Sequence, residues 1–125
     1  MENRICTTIE QSEKLIELGI DPDTADMFYW YGEKNDVRIG TYDYHGGGYF
    51  DTPAWSLSAL LGLMPKLYDE DDLNDGGCQP NLCKGWDNNL WHCVYRVDMY
   101  RTEWYDEPID AAFDMVCWLL KNNKI

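Results

Sequence analysis

The residue types that could do chemistry are few and scattered. Cys78 and Cys83 are separated by four residues in a Gly-rich stretch, and His92 and Cys93 come next in the chain. Four such ligands would complete a closed zinc site, and the first spacing falls within its range. No second Cys-x-x-Cys pair follows, however. His92 and Cys93 are also neighbours on an expected strand, where successive side chains face opposite ways. Two ordinary loop thiols are the expectation, with no metal and no other cofactor. His45-Gly46-Gly47-Gly48 has the form of an esterase oxyanion loop. That chemistry needs a Gly-x-Ser-x-Gly elbow, and Ser56 sits instead within Ala54-Trp55-Ser56-Leu57. A Cys/His/Asp site can be drawn from Cys93 or Cys117 with His45 or His92. Both cysteines fall on the apolar sides of their expected elements, where a thiol is inert packing. The acidic run puts Asp69 and Asp71 at the first and third positions of a calcium loop, but Leu73 takes the fifth and Asn74 the place of the glycine. No catalytic residue is assigned.

Two features suit contact with a partner. The carboxylates of Asp69, Glu70, Asp71, Asp72 and Asp75 can steer a basic protein. Tyr29, Trp30 and Tyr31 can anchor it if their strand lies at a sheet edge with one face open. In a sheet covered on both faces the same aromatics belong to the core.

Charge narrows the partners further. The chain has 125 residues, with 23 acids against 10 bases, a net charge of −13. The acids are spread: 11 fall in residues 1–62 and 12 in the rest. Binding to nucleic acid requires clustered Lys and Arg that displace counterions from phosphates, and no such cluster exists. An anionic membrane surface is excluded on the same ground. Residues 1–20 lack a signal-peptide pattern, and the longest apolar stretch, from Leu57 to Met64, is far too short to span a bilayer. Five cysteines, an odd number, with no export signal suit a reducing cytoplasm.

The elements that must position these groups follow from pattern and punctuation. A first helix starts at a capping box, Thr7 or Thr8 with Glu10 or Gln11, and ends at Gly19 with Ile20 folding back onto Leu15. Residues 27–31 and 37–44 make a strand pair around a polar turn. Thr52 and Pro53 open a second helix whose stripe is Leu57, Leu60, Leu61 and Met64, stopped at Pro65. Residues 66–89 read as one long acidic and Gly-rich loop. Residues 90–97 and 99–105 read as two more strands. Asp106 or Glu107 caps a last helix opened by Pro108, with Ile109, Ala112, Phe113, Val116, Leu119 and Leu120 on its apolar face. The expected fold is α+β over residues 1–125 as a single domain. Its order is α-β-β-α-β-β-α, with an antiparallel sheet of about four strands and three helices mainly on one face.

Three segments carry a resemblance. They are Thr8-Ile9-Glu10-Gln11-Ser12 through Met27, then Pro53-Ala54-Trp55-Ser56-Leu57-Ser58-Ala59-Leu60-Leu61, and Thr102-Glu103-Trp104-Tyr105-Asp106-Glu107-Pro108-Ile109-Asp110-Ala111. In these the chain resembles a group of small uncharacterised proteins from Bacteroides-type gut bacteria and their prophages and mobile elements. The resemblance implies a bacterial or phage cytoplasmic protein and brings no catalytic residues with it. The expected function is that of a non-enzymatic, acidic accessory protein that binds a basic protein partner, with a nucleic-acid mimic as a special case. The alternatives are a small hydrolase or transferase built on a carboxylate or thiol, or a zinc-stabilised domain.

Overall fold

The computed structural model describes residues 4–30, 35–39, 52–67, 77–95 and 100–125. Three helices lie among them: α1 (Ile9–Glu17), α2 (Leu57–Gly62) and α3 (Pro108–Lys121). The strands are β1 (Met27–Tyr29), β2 (Val37–Ile39), β3 (Thr52–Ala54), β4 (Asn81–Lys84) and β5 (Trp91–Val94). Instead of one sheet of four strands, the described residues form two antiparallel sheets, ordered β2-β1-β3 and β4-β5.

α1 forms where its punctuation places it. Thr8 and Gln11 make a reciprocal capping box. At the other end Gly19 adopts φ +107°, its N–H reaches Ile16 O, and the Ile20 N–H reaches Leu15 O. These are the two bonds of a Schellman stop, which needs a left-handed residue at that point.

Two expectations are corrected here. Thr52 and Pro53 do not open α2. Thr52–Ala54 is instead β3, paired with β1 through Met27↔Ala54 and Tyr29↔Thr52. Pro53 is tolerated because β3 is an outer strand of its sheet, where a missing N–H forfeits little. The N-cap is Ser56, whose hydroxyl accepts from Ala59 N while its own N–H donates to Asp26. The second correction is within 66–89, where Asn81–Lys84 is a strand in register with β5. Asn-Leu-Cys-Lys has no β-branched residue, so its sequence gives little sign of a strand; pairing with β5 supplies one.

The segment after residue 99 runs antiparallel to β5 only at isolated bridges, Val94↔Arg101 and Trp91↔Tyr105. It holds one more residue than β5 between those bridges, as in a bulge. Buried Thr102 stitches it there: its Oγ1 accepts from Cys93 N and its N–H donates to Cys93 O.

α3 carries the main core. Ile109, Ala112, Met115, Val116 and Leu119 are buried with Leu15, Trp55, Leu60 and Cys93. Glu107 stands at its N-cap, but its side chain makes no capping bond; Pro108 opens the first turn. A second, smaller cluster of Cys6, Met27, Tyr29 and Ala54 lies under the three-stranded sheet. Among the described residues no helix is long and apolar enough to cross a membrane.

Candidate functional site

Of the residues expected to meet a partner, Asp69, Glu70, Asp71, Asp72, Asp75 and Tyr31 lie outside the described residues, as does His45. Tyr29 is placed, and it is buried at 6% exposure. Strand alternation turns it inward with Met27, and its hydroxyl donates to Thr7 O at 2.5 Å. It is a core residue in this structure, with no free surface for an anchor. Trp30 is half-buried. The Arg38 guanidinium lies 4.2 Å over its ring, and Arg38 also pairs with Asp36. One face of that indole is therefore already occupied by a cation from the same sheet.

The open aromatic is elsewhere. Trp86 stands 97% exposed on the turn joining β4 to β5. The turn is tightly built. Gly85 N donates to Leu90 O at 2.7 Å, Asn88 Oδ1 accepts from Leu90 N at 3.0 Å, and Asn89 takes φ 59°. A Cβ on Gly85 would fall 1.8 Å from Asn88 Oδ1. So the turn positions Trp86 by its own hydrogen bonds, and the side chain points away from the core. Asp87 beside it is also exposed.

The outer face of the same hairpin carries Cys83 and His92 as cross-strand partners. The His92 ring stacks on Trp104, 4.0 Å between centroids and 11° from parallel. His92 Nδ1 is buried without a hydrogen-bond partner. Burial, and then the positive Arg101, push its pKa down. Cys93 points the other way, into the core, with its Sγ 4.0 Å from Met64 Sδ. Cys78 bridges to Leu67. The four potential zinc ligands are thus not brought together, and among the described residues no three His, Cys, Asp or Glu side chains are disposed to hold a metal.

The groups that could serve catalysis are committed or quiet. Burial pushes the Cys93 thiol up to about 12 and the Cys117 thiol up to about 11, and it raises Cys6 as well. Protonated thiols of that kind are poor nucleophiles at neutral pH. Asp114 accepts from both Tyr100 (3.1 Å) and Tyr105 (2.6 Å). Asp110 is held by Arg4 and by Gln11.

The chain matches no family model, no curated protein sequence and no solved structure. The segments that carry its resemblance in sequence are structural ones. Trp55 is fully buried with its indole N–H on Thr24, Ser56 caps α2, and Tyr105 to Pro108 lead into α3.

Trp86 was not among the sequence candidates, although a signal for it existed. Gly85-Trp86-Asp87-Asn88-Asn89 is a turn composition between two strands, and a tryptophan in such a turn has no core to enter.

Proposed function

We propose that this protein is a non-enzymatic interaction module that binds a basic protein partner, with Trp86 as its aromatic anchor. The observation that carries the reading is that indole, fully open on a turn whose own hydrogen bonds fix its direction. Trp is the residue type most enriched at binding hot spots, and ordering the turn in advance reduces the entropy lost on contact. A net charge of −13 favours a partner rich in Lys and Arg, whose cations can also stack on the indole. Asp69, Glu70, Asp71, Asp72 and Asp75 steer that partner, and Trp30 and Tyr31 extend the contact. The resemblance to prophage and mobile-element proteins supports the role of a cytoplasmic accessory factor, with mimicry of nucleic acid as its special case. The raised thiols and tied carboxylates favour this reading over a thiol or carboxylate hydrolase.

The test is an affinity capture from bacterial lysate with the native protein, Trp86→Ala, and a variant in which the five loop acids are amidated. A basic protein held by the native chain, lost with Trp86→Ala and weakened by salt or by the amidated loop, is the expected result. Equal capture by native protein and Trp86→Ala would remove the anchor and with it the reading.

A further inference from the structure

A cleft of about 330 Å³ opens between α1 and α3, distant in role from the hairpin. α3 contributes Asp110, Phe113, Asp114, Cys117 and Lys121, residues three or four apart and so on one face of the helix. α1 contributes Gln11 and Lys14, and Tyr105 closes one side. The volume is at the small end of the range for organic ligands.

What the cleft can bind follows from which of its groups are already satisfied. Both oxygens of Asp114 accept tyrosine hydroxyls. Asp110 is neutralised by Arg4 and bonded by Gln11. A cationic ligand would have to displace donors supplied by the protein. The lysines are differently placed. Lys121 has no hydrogen-bond or ion-pair partner among the described residues, and Lys14 reaches only the exposed Glu17, at 4.0 Å. Both ammonium groups act on one point inside the cleft: against the burial that raises the Cys117 thiol, Lys121 and Lys14 each pull it down. In a chain with 23 acids and 10 bases, two available cations over one concavity are a local reversal of sign. Phe113 and Tyr105 add aromatic surface.

We propose that this cleft binds a small organic anion bearing an aromatic ring, with its carboxylate or phosphate between Lys14 and Lys121 and its ring against Phe113 and Tyr105. The site shares no residue with the Trp86 turn, so the two readings stand or fall separately.

Phenyl phosphate is the probe, titrated calorimetrically into the full chain. Saturable binding is expected, weakened about fivefold or more by Lys14→Gln and by Lys121→Gln, each of which removes one charged contact. Lys124→Gln, near in sequence but outside the cleft, and Trp86→Ala leave it unchanged. Inorganic phosphate binds several-fold more weakly because it has no ring. Both lysines are at least partly open to solvent and their exchange for glutamine spares the core, so the variants fold. As a second readout, phenyl phosphate slows alkylation of Cys117 in the native protein, followed by peptide mass spectrometry, and leaves Cys83 alkylation unaltered. Three results would each overturn the proposal. One is no binding up to roughly 10 mM, where a ligand of this size in a real site still registers. Another is equal weakening by Lys124→Gln, which marks diffuse electrostatics. The third is phosphate binding as well as phenyl phosphate.

Discussion

At the scale of single residues, His92 is the titrating group with the clearest consequence. Its ring is flat against Trp104, and its Nδ1 has no acceptor to receive a proton. Burial lowers its pKa below the ordinary value of 6.5. The unfolded chain therefore takes up a proton first, and stability rises with pH across that interval. The neutral ring's contribution is complete above about pH 7 and is lost as pH falls through 6.5 toward the lower folded value. Urea unfolding at several pH values between 7.5 and 5.5 should show a falling midpoint. His92→Phe keeps a ring for the stack and should flatten that slope; an unaltered slope would mean that another group titrates there. Part of this was legible in the sequence. Strand alternation separates His92 from Cys93 and so dismantles the zinc site. The stack on Trp104 was not legible, because it depends on how a bulged segment registers against β5.

At the scale of elements, local chemistry reads well where it is self-contained and poorly where a partner supplies it. α1 and α3 carry their own caps, stops and apolar faces, so their positions follow from the sequence alone. β3 and β4 have three and four residues, too few for a period to show, and each exists through a strand remote in the chain. Thr52-Pro53 has a good helix-opening composition, yet Ser56 takes that role because Asp26 is there to receive its N–H. Ser56→Ala should cost about 1 kcal/mol in urea unfolding, the usual worth of an N-cap. Asp26→Ala should cost a similar amount, and the double variant less than the sum, since the two share one network. The β4–β5 turn makes a parallel case. Gly85→Ala drives a methyl into Asn88 Oδ1, so the turn must open, at a cost of about 1–2 kcal/mol. The same change should weaken partner capture without touching Trp86 itself, which separates the effect of the turn's geometry from that of the indole.

At the scale of the whole molecule, an excess of 13 negative charges works against compaction. Added salt screens that repulsion over a Debye length of about 10 Å at 0.1 M. The melting temperature should therefore rise between low and moderate salt, while capture of a basic partner declines over the same range. Opposite trends of this kind would separate fold from function by one variable; a melting temperature that falls with salt would contradict the repulsion argument. The general α+β character and the lack of nucleic-acid chemistry were readable from composition and pattern. The division into two small sheets was not, because it depends on which short strands find each other.

The openness of Trp86 has a further consequence, for optical spectroscopy. An indole at 97% exposure emits at long wavelength and collides freely with a dissolved quencher such as acrylamide, whereas Trp55, at 0%, is dark to it. The hairpin tip is thus a built-in reporter. Docking at that turn should shift the accessible part of the emission to the blue and shield it from quenching. Occupation of the α1–α3 cleft should leave that signal unmoved.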